Sequence, residues 1–192
     1  DYYKDISEKL AGYKNYTERR NALIAQMAQE RSELNKAANV LSDARKASAA
    51  ILEPQIINNL KDLNFLTADF KIDFKKADKI TENGFDRVEF LISANPGENP
   101  MPLAKVASGG ELSRIMLAIK SSVAYSDEIP TLIFDEIDTG ISGRTAQMVA
   151  EKLDSLGHSH QIICITHLPQ IAAMGDVHFS IHKEVTDGTT IS

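Results

Sequence analysis

Along residues 1–53 apolar side chains return at seven-residue intervals. One column runs Ile6, Tyr13, Arg20, Met27, Leu34, Leu41 and Ser48; a companion runs Leu10, Thr17 and Ile24, then blurs through Ala37/Ala38, Ala44 and Ile51/Leu52. This is a heptad seam, weak at Arg20 and around Glu30-Arg31. The stretch holds a single glycine, Gly12, and no proline. An amphipathic helix lying on a domain would give a similar stripe, but a run this long exceeds the ~8–20 residues of an ordinary globular helix. The pattern therefore predicts one helix of a coiled-coil arm, with its partner helix elsewhere.

Pro54 marks a change of regime, and the expected boundary falls there: an arm helix over 1–53 and a lobe over 54–192. After a short helical stretch, Gln55–Leu63, residues 68–75 alternate as Ala-Asp-Phe-Lys-Ile-Asp-Phe-Lys and read as a strand. Lys79–Asp86, with Asn83-Gly84, supplies a turn, and Arg87–Ala94 returns as the second strand of a hairpin with one buried face. Asn95–Pro102 reads as a loop, and Leu112, Ile115, Met116 and Ile119 as a helix from Glu111. Leu132–Phe134 and Gln161–Thr166 are continuous apolar runs of the kind buried in parallel sheets, separated by a helix over Ala146–Leu156 that Gly157 ends. Val177–Ile181 and the end of the chain read as further strands. Strand–helix–strand alternation makes this an α/β layer.

Composition narrows the classes. The chain has 192 residues and a net charge of −6. That charge is uneven: residues 1–60 hold 9 Lys+Arg against 8 Asp+Glu, leaving 12 against 19 beyond them. An acidic lobe argues against its bulk surface as a nucleic-acid platform, which needs clustered Lys/Arg. No apolar run approaches the ~20 residues that span a bilayer, and no signal-peptide pattern is present. The single cysteine, Cys164, lies between Ile163 and Ile165. It excludes an intrachain disulfide, fits a reducing cytosol, and reads as a plain buried thiol.

The chemistry concentrates in two segments. Ala-Ser-Gly-Gly-Glu (107–111) reads as a glycine-rich turn opening a helix. Ser108 can cap that helix, and Gly109 and Gly110 let backbone amides approach an anion. By themselves these residues equally describe a simple N-cap, with Glu111 and Arg114 as helix-start charges. Thr-Leu-Ile-Phe-Asp-Glu (131–136) reads as a buried strand ending in two carboxylates. Asp135 at a strand end suits Mg²⁺ held through water, and Glu136 suits a general base or water-positioner; an acidic strand end without a metal is the plain alternative. Asp138, Gly140, Ser142 and Gly143 form an acidic turn before a helix. His167 directly follows a buried strand, where a neutral imidazole could reach a phosphate. His178 and His182 read as solvent-facing on one side of a strand, and His158 and His160 as turn residues without a role. None of the ten glycines precedes a lysine, so no G-x-x-x-x-G-K-[ST] phosphate loop is present.

Ser-Gly-Gly-Glu-Leu-Ser-Arg (108–114) resembles the signature motif of ABC-type ATPases in their SMC-like branch. Leu132–Glu136 resembles Walker B with its catalytic glutamate, Asp138–Gly143 the D-loop, and Thr166-His167 the switch histidine. Phe-Asp-Glu-Ile-Asp-Thr-Gly-Ile-Ser-Gly and Thr-His-Leu-Pro-Gln-Ile-Ala are closest to members of that branch acting in bacterial DNA repair, and the likeness covers about residues 54–190. It implies an α/β fold, the C-terminal lobe of a P-loop (ABC/SMC-type) ATPase head with a long N-terminal coiled-coil helix. It implies ATP and Mg²⁺ as cofactors, with Glu136 and His167 catalytic and Asp135 on the metal. Ser108, Gly109, Gly110, Glu111, Asp138 and Gly140 would then contact nucleotide, the signature serving ATP bound by an opposing head. The implied partners are an N-terminal lobe of the same protein carrying the phosphate-binding lysine, a second head joined through ATP, and DNA, with no membrane. The implied setting is double-strand break repair by a cytoplasmic, nucleoid-associated protein, and this chain alone would be inactive.

Two other classes remain open on the residues. A non-catalytic coiled-coil scaffold docking partners through its acidic lobe has no need of Asp135, Glu136 and His167. A metal nuclease could use Asp135, Glu136 and Asp138 as a carboxylate cluster, but gives the Ser-Gly-Gly-Glu helix start no task.

Overall fold

A computed structural model of the chain describes residues 2–94, 97, 99–181, 184–186 and 189–191. The first element, α1, is one continuous helix over Tyr2–Asp62, with Pro54 inside it. The strands β1 (Asp69–Thr81), β2 (Gly84–Ser93) and β3 (Met101–Pro102) form one sheet in that order. Then follow α2 (Gly109–Val123), β4 (Thr131–Phe134), α3 (Gly143–Gly157), β5 (Gln161–Cys164), α4 (Pro169–Ala172), β6 (Glu184–Thr186) and β7 (Thr189–Ile191).

The chain divides into two compact units, Asp1–Ala49 with Phe74–Val88 and Ala50–Asp73 with Glu89–Ser192. In the first, every described helix residue from Tyr2 to Ala37 is exposed, and burial begins at Ala38, Ser42 and Ala49. The predicted seam passes through Leu41 and Ser48; the buried stripe lies one residue on. The hairpin tip takes that face. Ser42 donates to an Asp86 carboxylate oxygen at 2.9 Å, and Arg45 donates to the Asn83 carbonyl at 2.8 Å and to Asp86 at 3.3 Å. The Leu41 side chain also meets the tip, 3.2 Å from where a Cβ on Gly84 would stand. The tip is tighter than the expected Lys79–Asp86 turn: Glu82 and Asn83 form it, and Gly84 at φ +83° supplies the left-handed residue that closes such a hairpin.

In the second unit the helix runs on through Pro54, where the sequence suggested a break. An interior proline costs roughly 3 kcal/mol. Ile56 and Leu60 are fully buried just beyond it, and each such side chain contributes ~1.5–3 kcal/mol, so packing outweighs the break. Asn59, one turn later, donates to Ser122 Oγ at 2.7 Å and accepts from Lys152 Nζ at 2.7 Å, which ties α1 to α2 and α3. At the hairpin base Phe70 meets Phe90 edge-on, with ring centroids 5.5 Å apart. Met101–Pro102, expected as loop, pairs antiparallel with Leu91–Ile92; Asn95, Pro96 and Glu98 of that expected loop lie outside the described residues.

The strands β4 and β5 pair in parallel, Thr131 opposite Gln161 through Phe134 opposite Cys164. Parallel pairing matches the expectation; burial on both faces does not. Leu132 and Phe134 are buried, while Ile133, Ile163 and Ile165 on the other face are 68%, 46% and 54% exposed. The helices α2 and α3 pack together, and α3 also packs on β5. Val177–Ile181, expected as a strand, is not one: an alternating pattern needs a neighbouring strand to pair with, and here Val177, Phe179 and Ile181 stand exposed. His178 Nε2 lies 2.8 Å from the Ala172 carbonyl, and His182 lies outside the described residues. The chain end does hold strands, β6 and β7, paired antiparallel.

Candidate functional site

Ladder bonds carry the parallel pair as far as Ile165, whose amide donates to the Phe134 carbonyl at 3.0 Å. Asp135 and Glu136 therefore leave β4 beside the point where Thr166 and His167 leave β5. The carboxyl ends of parallel strands are where α/β sheets place their ligands.

Asp138 anchors this corner. It is only 4% exposed. Its Oδ2 accepts from Thr166 Oγ1 at 2.6 Å and from the His167 amide at 2.8 Å, and the His167 ring Nδ1 lies 3.0 Å from the same oxygen. Burial raises the Asp138 pKa, but the hydrogen bonds from Thr166 and His167 and the His167 charge outweigh it, holding the carboxyl below its ordinary range. With Nδ1 turned to the carboxylate, the rest of the ring faces outward, and the His167 side chain is 75% exposed. The Asp138 carboxylate is thus in contact with His167 of its own chain. That leaves no open cluster of Asp135, Glu136 and Asp138, and the described residues contain no group of three or more metal-capable side chains. Cys164 beneath is half-buried, its thiol pushed up to about 11 by burial and by Asp138 and Asp135, which fits an inert thiol.

The glycine-rich turn caps α2 as predicted. Ser108 is the N-cap, with its hydroxyl accepting from the Glu111 amide at 3.4 Å. Gly109 and Gly110 also meet the strand end of their own chain. A Cβ at Gly109 would collide with the Glu136 carboxylate, and one at Gly110 would stand 2.8 Å from the Glu136 carbonyl oxygen. Ser108 and Gly109 remain exposed, Gly110 is buried, and Glu111 is half-buried. Gly140, at φ +73°, sits in the turn after Ile137 with open space where a Cβ would point.

Glu136 itself is at φ +57°, left-handed for a residue with a side chain. Such conformations cost of order 1–3 kcal/mol and persist only where the surroundings fix them. Its amide donates to Asp135 Oδ1 at 2.8 Å, and its carbonyl accepts from the Thr139 amide at 3.0 Å. Ser113 Oγ donates to the Asp135 carbonyl at 2.7 Å. Arg114 Nη1 donates to the carbonyls of Ile137 at 3.2 Å and Thr139 at 2.9 Å. Arg114 is 7% exposed, and its guanidinium lies 5.6 Å from the Phe65 ring centre. Burial lowers its pKa, with the Glu111 charge partly offsetting this.

Three of these residues are not candidates on the sequence alone. Arg114 reads there as a helix-start charge; its position six after Ser108 puts it one and a half turns inside the helix, where a charge must find buried acceptors. Ser113 and Thr166 carry no such signal. For Mg²⁺ the chemistry of Asp135 fits: it is an exposed carboxylate at a strand end, a hard-oxygen donor, with Oδ1 accepting from the Glu136 amide.

No family model matches the chain. Two curated relatives match nearly all of it, both called DNA repair protein RecN. The Bacillus subtilis protein is 41% identical over 210 residues, 99% of this chain and 36% of its own length. The Haemophilus influenzae protein is 38% identical over 191 residues, 99% of this chain and 34% of its own. The chain thus spans about a third of the length of these relatives. Among solved structures, the Smc head domain with coiled coil and joint from Pyrococcus yayanosii superposes at a TM-score of 0.52 and 18% identity, covering 77% of this chain and 26% of that one.

Proposed function

Because the chain belongs to the RecN family and has the fold of the C-terminal lobe of an SMC-type ATPase head, we propose that it supplies half of an ATP-hydrolysing site in a DNA repair protein. The observation that carries this reading is the contact of Asp138 with Thr166 and His167, beside the strand end that bears Asp135 and Glu136. It sets two candidate catalytic side chains at one sheet corner in a chain without a lysine-bearing phosphate loop.

In this reading Glu136 takes the proton of the attacking water, a role worth roughly 10²–10⁴ in rate. His167 presents its outward ring edge to the γ-phosphate while Asp138 holds the ring's other side. Asp135 would hold Mg²⁺, which when bound would supply charge neutralisation at the phosphate oxygens. Ser108, Gly109 and Gly110 offer a helix start to the nucleotide of an opposing head, so that ATP binds two heads together and hydrolysis releases them. The N-terminal lobe brings the phosphate-binding lysine. The apolar face of Ile133, Ile163 and Ile165, together with exposed Val177, Phe179 and Ile181, supports such a lobe as its cover. The boundary between arm and lobe is placed at 53/54, with the exposed start of α1 forming one side of the coiled coil. DNA is the partner of the whole protein.

The deciding experiment is Glu136→Gln in the full-length protein. The amide keeps the shape and removes the base: ATP binding stays, hydrolysis falls by roughly 10²–10⁴, and head dimers accumulate with ATP. Turnover at the wild-type rate would remove Glu136 from the mechanism. This chain by itself, lacking the lysine loop, is expected to turn over ATP no faster than buffer.

A further inference from the structure

The left-handed Glu136 needs something to hold it, and the side chains that do so belong to α2. Three residues of α2 bracket it. Ser113 Oγ donates to the carbonyl before it, Asp135, at 2.7 Å. Arg114 Nη1 donates to the carbonyl after it, Ile137, at 3.2 Å, and to Thr139 at 2.9 Å. Gly110, without a Cβ, lets the Glu136 carbonyl itself come against the helix backbone; a methyl group there would stand 2.8 Å from that oxygen. A peptide that left the left-handed region would rotate these carbonyls away from their donors. Arg114 is held in turn by burial to 7% exposure and by Phe65, so the clamp stands on packed structure.

We infer that Ser113 and Arg114 are positioning residues for Glu136, and that the first turns of the signature helix therefore have a second task, in cis. They fix the backbone conformation that aims the carboxylate of their own chain, apart from any contact with an opposing nucleotide. The inference rests on Glu136 being the base, as proposed above. It makes the helix an element in which nucleotide contact and the aim of the base are mechanically joined. Ser108 and Gly109 occupy the exposed end, while Gly110, Ser113 and Arg114 line the side toward residues 135–139.

The test compares Ser113→Ala, Arg114→Gln, Arg114→Lys and Glu136→Gln in the full-length protein, reading kcat, KM for ATP, ATP-driven head dimers by sedimentation, and Tm. Loss of aim without loss of the base should cost less than removing it. Ser113→Ala and Arg114→Gln are expected to lower kcat by roughly 10–100-fold, against ~10²–10⁴ for Glu136→Gln. KM for ATP and dimer formation are expected to stay as in the wild type. Arg114→Lys retains the charge and a donor for one carbonyl, and should recover part of kcat. Added to Glu136→Gln, Ser113→Ala should cause no further loss, since residues acting through one another are not additive. A purely structural role would lower Tm and leave kcat of the folded fraction intact.

Wild-type kcat in Ser113→Ala and in folded Arg114→Gln, with Glu136→Gln inactive, would overturn the inference and leave the proposed function standing. Wild-type turnover by Glu136→Gln would overturn the proposed function itself. A raised KM with lost dimers and unchanged kcat in Ser113→Ala would assign that side chain to nucleotide contact and also sink the inference. Should Arg114→Gln fail to fold, Ser113→Ala decides, because it removes one hydroxyl from a part-exposed position.

Discussion

The turn Asp135–Thr139 and the helical stretch Tyr2–Ala37 make opposite use of exposure. Both present side chains to solvent, yet the turn is crossed by hydrogen bonds from two other segments, α2 and the residues after β5, while the helix stretch buries nothing. In the helix, order comes from local bonding alone, and its large apolar residues, Tyr13, Met27 and Leu34 among them, are 50–73% exposed. In the turn, order is imposed from outside on a backbone that would not choose it. The corner therefore depends on contacts made by other segments, whereas the helical stretch depends on none.

Breaking the packed side of this contrast should have the largest effect. Leu60 is fully buried at the foot of α1, and Leu60→Ala is expected to cost about 2–5 kcal/mol in urea unfolding of this chain. A loss below ~1 kcal/mol would mean the helix foot is not part of the core.

Next comes Asp138→Asn, which keeps the shape and removes the charge accepting from Thr166 and His167. A loss of roughly 1.5–3 kcal/mol is expected near neutral pH. The sign of its pH dependence follows from the lowered Asp138 pKa. A carboxylate whose folded pKa is depressed contributes stability above its unfolded pKa and loses it as pH falls through the folded one. Wild type and Asp138→Asn should thus differ fully above the ordinary value of 3.8 and converge below it. A gap independent of pH would show that the charge is not what holds the corner.

Smaller still is Ser42→Ala, which takes one hydrogen bond from the buried Asp86 and leaves Arg45 on it. About 1–3 kcal/mol is expected, measured as the loss of unfolding free energy, and no loss at all would mean that the hairpin tip leaves that face of α1.

The smallest is Met27→Ala, 70% exposed. In this chain alone it should shift stability by no more than ~0.5 kcal/mol. In the full-length protein a partner helix over the seam would enlarge that cost, and an equally small effect there would argue against a coiled coil at this position.

The sequence by itself determined whatever depends on near neighbours. Heptad spacing marked the long helix, period-two alternation marked the hairpin, Ser108 marked the start of α2, and two apolar runs separated by a helix marked a parallel pair. Chemistry-bearing types at motif spacing named Asp135, Glu136, Asp138 and His167 as candidates. What only the tertiary structure decided depends on residues far apart in the chain. The helix runs through Pro54 because Ile56 and Leu60 have a core to enter, and Ser42 is buried where a hairpin some forty residues later meets the helix. Val177–Ile181 has strand-like alternation yet forms no strand, its apolar side chains standing exposed. Asp138 faces His167, and Arg114 faces the Glu136 turn, through contacts spanning more than twenty residues. Periodicity is written in each segment, but a hydrogen bond between segments exists only once the fold has brought its two ends together.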